Sequence, residues 1–556
     1  MGDFVECRGF PPRRAPLRHR HERKQAKPKS GHQPWPMAAR SQPPVEPNCI
    51  GIYAAESSRR APKHLESSLK KLQVTVFLVV LTIAVAVQWA SGAFTSDFDG
   101  DPDEPAHVVS SLLVRDYITQ DLPHNPLTFA RAYQAHFPKI AIGHWPPLFH
   151  TTEALWTLAA GRSKAALIAW LAVLAAGVTT LIFVWTRRGQ DAIVACFAAV
   201  AFFASPLVQV AISSVMPDIL LALLAFAAAS SLGAYWQCGE KRYAVWFAVF
   251  AFASAATNGR GIAVALICVP TGALLSPAHK RRWLIALFAA GAFLLLPNLF
   301  PGAAPFSAIG FMLSLWQLLE RTAIMLSWPV AGLAVVGAVS VFRSLREHPR
   351  WAPMLSLAPA AWMFQSLGGW PLQDRYLLMS APAVAVLAAA GCQACLHSFR
   401  SPRRVVAVFL CAAVVVAFDA RHYSKKPDLG YHIFASEALA QAHTTSLIAG
   451  DAFHEGSYIA EMDLLDPRRA HTILRATKML SLSTWAGNFY RMRFASPSEL
   501  GAWLDNTDVT LVIVETTGPP HVVQLLEALR ADAAHWRQLP GAAFPRDVRL
   551  FERRLE

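Results

Sequence analysis

The feature that most constrains this chain is a series of apolar stretches filling most of residues 72–420. Eleven are separable, at roughly residues 72–91, 165–185, 191–211, 218–236, 243–257, 260–277, 283–300, 322–342, 351–368, 376–396 and 404–420. A helix needs about 20 consecutive apolar residues to cross the hydrocarbon of a bilayer, where no water satisfies its backbone. The composition agrees: 54% of residues are hydrophobic and 16% charged, with a mean hydropathy of +0.32, whereas soluble domains carry roughly 25% charged residues. The expectation is a polytopic α-helical membrane protein of about eleven transmembrane helices.

Loop charges orient the spans. Arg187-Arg188, Lys241-Arg242, Lys280-Arg281-Arg282, the Arg343/Arg346/Arg350 cluster and Arg400/Arg403/Arg404 fall at every second loop. Basic loops stay on the cytoplasmic side. The intervening loops, at 215–218, 258–261, 301–321 and 368–376, are poor in Lys and Arg. The short stretch Trp145–Ala160 would reverse this alternation if it crossed. It carries His150 and Glu153 and reads as an interfacial helix within one long external loop, residues 92–164. The N-terminus then lies in the cytoplasm and the C-terminus outside.

Of the net charge of +14, a large share sits in residues 1–71, which hold fifteen Lys and Arg against six Asp and Glu. This segment reads as a disordered basic cytoplasmic tail, with Met37 an alternative initiator. It has no aromatic interleaving and no packable core, so a nucleic-acid partner is not expected. The first apolar stretch has no small-residue cleavage site and reads as a signal anchor. None of the eight cysteines falls in a segment placed outside, so no disulfide framework is expected there. Cys392 and Cys395 read as packing residues.

After residue 420 the pattern changes. Thr444–Gly450, Thr510–Glu515 and Val548–Arg553 have strand character, while Glu455–Leu464, Pro497–Leu504 and His521–Ala534 have helical spacing. Residues 421–556 are expected to form a small extracytoplasmic α/β domain. It has no glycine-rich phosphate loop and reads as an accessory or acceptor-binding unit.

The chemistry-bearing residues gather on the face opposite the basic loops. Five acids lie in eight positions at Asp97-Phe98-Asp99-Gly100-Asp101-Pro102-Asp103-Glu104, just past the first span, followed by His107. One reading is a solvated acidic turn with Asp103 as a helix N-cap. The other is a carboxylate base near the membrane surface, where desolvation raises its pKa toward a useful value. Lys139 and His144 lie later in the same loop, before Trp145-Pro146-Pro147. Pro217-Asp218, Asn258-Gly259-Arg260 and Gln373-Asp374-Arg375-Tyr376 fall in the later external loops. For Asp218 a helix N-cap after Pro217 competes with a functional role.

Four ordered segments resemble the GT-C glycosyltransferases, which include protein O-mannosyltransferases and lipid A aminoarabinose transferases. Asp103-Glu104-x-x-His107 resembles their first-loop Asp-Glu motif. Pro138-Lys139 through Leu148-Phe149 is similar to their His/Lys-Pro-Pro-Leu motif. Ser213–Asp218 resembles the segment with an aspartate at the outer end of a later span, and Arg375-Tyr376-Leu377-Leu378 with Pro382 resembles their Arg-Tyr-Leu-Leu-Pro segment. Asn258 departs from the family by standing where a lysine is common, with Arg260 beside it.

The resemblance implies a GT-C fold and transfer of a sugar from a polyprenyl-phosphate carrier, such as undecaprenyl phosphate, to a glycan, lipid or protein acceptor outside the cytoplasm. The expected roles are Asp103 as base in an inverting displacement, with Glu104 as its partner or substitute. Arg375 is first choice for the donor phosphate, with Lys139, His144 and Arg260 behind it. Some members hold a divalent metal at the later aspartate and others need none. A Mg, Mn or Zn ion on Asp103 and Asp218 therefore stays open, with His107 a supporting nitrogen, although the histidine spacings match no standard metal motif. A transporter or flippase, and a scaffold without catalysis, are the alternatives. Transport would call for charges mid-span and an internal repeat, and neither is evident.

Overall fold

A computed structural model describes residues 63–140, 143–275, 307–368, 372–399, 401–423, 425–440, 444–482, 489–540 and 547–554. Most of the basic tail and the expected span at 283–300 lie outside the described residues. Residues Ser67–Glu556 form one compact unit.

Helices occupy every other expected span, but several are interrupted where the sequence removes a donor. Three helical stretches among the described residues are long and apolar enough to cross a membrane: Lys70–Ala90, Lys164–Arg187 and Asp218–Cys238. A bent pair makes four. The expected span at 191–211 splits at Ser205-Pro206 into Ala192–Phe203 and Pro206–Ala211. That at 260–277 opens as a 3₁₀ turn and widens into a π-helical turn over Val264–Cys268 before Val269–Leu275. Pro270 lacks the N–H that the ladder needs there. The expected span at 322–342 breaks at Ser327, where φ is +67°. Ala308–Met325 and Trp328–Arg343 meet there at 115°, so much of the segment expected as loop 301–321 is helical. Leu148–Ala160, with 13 residues, is too short to cross.

Basic residues collect at one set of helix ends. Lys164–Arg187 finishes on Arg187 and Trp328–Arg343 on Arg343. At this end Arg404 pairs with Asp191, and the Arg350 guanidinium lies where a side chain on Gly189 would be. Trp328–Arg343 and Ala381–Leu396 touch backbone to backbone. A Cβ on Gly337 would meet the Leu387 carbonyl oxygen at 1.8 Å, and one on Gly391 would meet the Leu333 carbonyl oxygen at 1.9 Å.

The C-terminal portion carries a five-stranded sheet in the order β2-β1-β5-β7-β6. The strands are β1 (Thr445–Ala449), β2 (Thr472–Arg475), β5 (Leu511–Glu515), β6 (Trp536–Gln538) and β7 (Val548–Arg553), with β3 (Ser481–Leu482) and β4 (Arg491–Met492) forming a separate pair. β1 runs parallel to β2 and β5, and β7 runs antiparallel to β5 and β6. Alternate side chains serve two cores, as period-2 geometry requires. Leu447, Val512 and Val514 face the helices Pro497–Asp505 and Pro520–Ala531. Ile448, Leu511 and Ile513 join the main core with Val108, Leu112, Tyr431 and Tyr458.

Between sheet and spans lies His454–Leu465, a helix buried along most of its length despite three carboxylates. Each carboxylate has a cation. Glu455 accepts from Arg475 Nε at 2.9 Å, Glu461 from Lys164 Nζ at 2.6 Å, and Asp463 from Arg162 Nη2 at 2.8 Å. Arg162 also grips Asp116 at 2.7 Å. Two of these cations, Arg162 and Lys164, lie at or just before the start of the helix Lys164–Arg187, so charge pairing fixes that segment against His454–Leu465.

His454 opens this helix and donates to Glu515 (Nδ1 to Oε1, 2.5 Å), which lifts its pKa to about 9 from an ordinary 6.5. A raised histidine pKa stabilises the fold fully below the unfolded value, and the gain is lost as pH rises through the folded value. The thermal midpoint of the purified protein is expected to fall between about pH 6.5 and pH 9. His454→Gln should flatten that interval of the profile. A variant profile as steep as the parent's would remove this assignment.

Candidate functional site

The acidic run after the first helix is consumed residue by residue, each carboxylate with its own task. Asp97 caps the helix Tyr431–Ala440, accepting from the backbone N–H of Leu429, Tyr431 and His432 at 2.9–3.0 Å. Gly100 passes so close to Ser214 that a Cβ would sit 2.0 Å from its Oγ. Glu104 is fully buried and accepts from Gly100 N at 2.7 Å, Val215 N at 2.9 Å and Lys426 Nζ at 2.6 Å. The expectation that Glu104 acts beside Asp103 meets a different arrangement. Its oxygens are held by donors from three segments, and it does not line the cavity described below.

Asp103 stands at the N-cap position of Glu104–Gln120, yet its side chain makes no capping hydrogen bond. Its Oδ2 accepts instead from Arg375 Nη2 at 2.6 Å. Arg375 rises from the 3₁₀ turn Asp374–Leu377, with Nη1 3.1 Å from Asp101 Oδ1 and Nε donating to Gln373 Oε1 at 2.7 Å. Burial pushes the Asp101 carboxyl up to about 6, against the pull of Arg375. Arg260 stacks on Tyr376, 3.6 Å from the ring centroid, and Arg375 lies 5.4 Å from the same ring. Behind Arg260, Asp218 Oδ1 lies 3.3 Å from its Nη1. Asp218 is the first residue of its helix, with Pro217 at the cap position. It is 2% exposed, and neither of its oxygens has a hydrogen-bond partner.

Asp103, Arg375, Arg260, His107 and His144 line one cavity of about 350 Å³, together with Trp145, Asn258, Gln365 and Tyr376. His107 shares a hydrogen bond with His150 (2.9 Å) and packs on Trp145. Burial, then the neighbouring His150, holds its imidazole well below the usual histidine range, so it is neutral. His144 lies edge-on to Trp145 with ring centroids 4.8 Å apart. Five of the eight expected site residues therefore meet, Asp218 buttresses one of them, and Glu104 and Lys139 do not reach the cavity lining. Lys139 is buried against the C-terminal portion, its Nζ donating to the Ala452 carbonyl at 3.1 Å.

Three residues escaped the sequence reading. Gln365 is 3% exposed, lines the cavity, and has neither amide atom hydrogen-bonded. The available signal was a lone amide in an apolar stretch. Tyr376 enters the sequence reading only as part of a motif, and Lys426, beyond the last apolar stretch, is not singled out there at all.

A divalent metal on Asp103 and Asp218 fits this donor set poorly. Asp103 and Asp101 both face Arg375, and Asp218 faces Arg260, so each carboxylate already meets a guanidinium. Among the described residues, two groups of three metal-competent side chains converge, Asp97/Asp428/His432 and Asp505/Asp532/His535, and both lie outside the cavity. In the first, Asp97 is already the helix cap described above.

No protein-family model matches the chain, and no curated protein matches it. Solved structures do. ArnT from Cupriavidus metallidurans in the apo state superposes with a TM-score of 0.54 at 13% identity, covering 85% of this chain and 97% of that one. The same protein bound to undecaprenyl phosphate gives 0.52 at 13% identity, with the same coverage. The Archaeoglobus fulgidus oligosaccharyltransferase in complex with Zn and sulfate gives 0.52 at 14%, covering 79% of this chain and 68% of that one. These neighbours are GT-C glycosyltransferases, and the fold of this chain is the GT-C fold.

Lys426→Met would leave the Glu104 carboxylate buried and unpaired, at a cost of about 3–5 kcal/mol. The expected outcome is a large drop in thermal midpoint, partly restored when Glu104→Gln is added. A single variant as stable as the parent would show that the pair holds nothing together.

Proposed function

We propose that the protein is a membrane glycosyltransferase that moves a sugar from a polyprenyl-phosphate donor to an acceptor on the extracytoplasmic face, with inversion. One observation carries the reading: a carboxylate and a guanidinium from distant segments, Asp103 and Arg375, in contact at 2.6 Å inside a cavity that holds a second guanidinium. The undecaprenyl phosphate held by one structural neighbour supports the donor class.

The donor's phosphate is an anion that can compete with Asp103 and Asp101 for Arg375. Arginine suits it because its planar fork can bind two phosphate oxygens at once. Phosphate binding thereby releases Asp103 from its ion pair at the moment a base is required. The acceptor hydroxyl oxygen attacks the anomeric carbon from the face opposite the phosphate, and Asp103 takes its proton. The bond from that carbon to the phosphate oxygen breaks, and its electron pair stays on the phosphate. Arg375 and Arg260 stabilise the charge that develops there. His144 lies beside the same anion as a further donor. His107 is neutral and serves as packing and a hydrogen-bonding wall. Gln365, an amide without a protein partner, is assigned to a sugar hydroxyl. Glu104, Asp218 and Lys139 position these groups.

In this reading the chain lies in an inner membrane with about eleven spans, its N-terminus cytoplasmic and its C-terminal α/β portion outside, where acceptors arrive. The guanidinium groups take the role that a divalent ion fills elsewhere.

The test is transfer by the purified full chain from a panel of radiolabelled polyprenyl-phosphate sugars. Asp103→Asn, correctly folded and inserted, should lose about 10²- to 10⁴-fold in turnover, as expected for a lost general base. Arg375→Lys should weaken binding of undecaprenyl phosphate, and a chelator should leave turnover unchanged. Full turnover by the Asp103 variant would end the catalytic assignment. Abolition by chelator, reversed by added metal, would return Asp218 to the role of ligand.

A further inference from the structure

A second cavity, of about 730 Å³, runs along the first helix and shares no lining residue with the site above. Val76, Val80 and Ile83 of Lys63–Ala90 form one wall, and Phe183 and Phe203 of the neighbouring helices form another. Val79 and Ile83 are about half exposed, so the groove opens sideways, toward lipid in the membrane reading. One feature does not belong in such a place. Asp419, the last residue of Ser401–Asp419, lines the groove at 4% exposure, and neither carboxylate oxygen has a hydrogen-bond partner. No ion pair reaches it among the described residues.

Asp419 lies at the same end of the helices as the Asp103 cavity. The Tyr423 hydroxyl donates to the Val87 carbonyl at 3.3 Å, and Lys426, which holds Glu104, donates its backbone N–H to the Ser91 carbonyl at 2.9 Å. The groove is thus a long apolar channel with an unpartnered carboxyl group at one rim, which the membrane reading sets near the lipid head groups. Arg421, two residues on, is exposed and also lacks an ion-pair partner among the described residues.

We propose that this groove binds an aminophospholipid, with one acyl chain along Val76, Val80, Ile83 and Phe203 and the head-group ammonium on Asp419. Charge complementarity selects the occupant. A buried carboxyl group without a partner gains most from a cation that also donates hydrogen bonds, and an ammonium bearing N–H groups supplies both. The exposed Arg421 suits the adjacent phosphate. A lipid with phosphate alone would bring a second anion to Asp419, and a quaternary ammonium has no N–H to donate. The proposal is independent of the transfer reaction.

Native mass spectrometry of the full chain, released from mixed vesicles of phosphatidylethanolamine, phosphatidylglycerol and phosphatidylcholine with matched acyl chains, tests it. The parent should retain phosphatidylethanolamine over each of the others by about tenfold, the worth of one charge-assisted contact. Asp419→Asn should abolish that preference while total bound lipid stays the same. Val416→Trp, which fills the groove from a half-exposed lining position, should lower total bound lipid. Equal retention of the three lipids by the parent, or an undiminished preference in Asp419→Asn, would overturn the proposal. If the asparagine variant does not fold, the tryptophan variant decides: phosphatidylethanolamine preference that survives it places the selective site elsewhere.

Discussion

The organisation of this molecule rests on one carboxylate buried against one ammonium. Glu104 and Lys426 are essentially inaccessible to solvent and meet at 2.6 Å. Two charges removed from water repay their desolvation only when geometry is tight and the remaining lone pairs are satisfied. Glu104 meets that condition with the backbone N–H groups of Gly100 and Val215. The contact therefore gathers three remote segments: the turn after the first helix, the approach to Asp218–Cys238, and the chain leaving Ser401–Asp419. Asp103 is the neighbouring residue, so its approach to Arg375 follows from where Glu104 is held.

Around the cavity the charges nearly cancel. Asp101, Asp103 and Asp218 face Arg260 and Arg375, while His107 is neutral. Such a set tolerates burial because each member has an opposite neighbour. Tyr376 meets both guanidinium groups, 3.6 Å from Arg260 and 5.4 Å from Arg375 at the ring centroid. Stacking and ion pairing thus act on the same two arginines.

Much of this was legible in the sequence. Apolar length places the helices, and the alternating basic loops place Asp103, His144, Arg260 and Arg375 in one set of loops. In the C-terminal portion, β1, β5 and β7 fall where short apolar runs placed them, because strands buried on both faces need such runs. What escaped had no local signal. β2 and β6 are only four and three residues long, and their pairing depends on contacts remote in sequence. The 115° bend at Ser327 is different: hydropathy passes over it, and its signal is Pro329 in the first turn of the next helix. Glu104 and Asp103 are adjacent acids with the same composition around them, and only their partners separate a structural role from an exposed one. Lys426 and Gln365 illustrate the same limit, since a single polar residue has meaning only once its surroundings are known.

The glycine contact between Trp328–Arg343 and Ala381–Leu396 has a mechanical consequence. With backbones in contact at Gly337 and Gly391, the two helices have no side-chain layer through which to slide, and they behave as a single strut. The elbow at Ser327 joins that strut to Ala308–Met325, whose outer face is largely uncovered. Ala308–Met325 is in turn tied to the turn that presents Arg375 and Tyr376, because Arg321 Nη1 meets Asp374 Oδ1 at 2.6 Å.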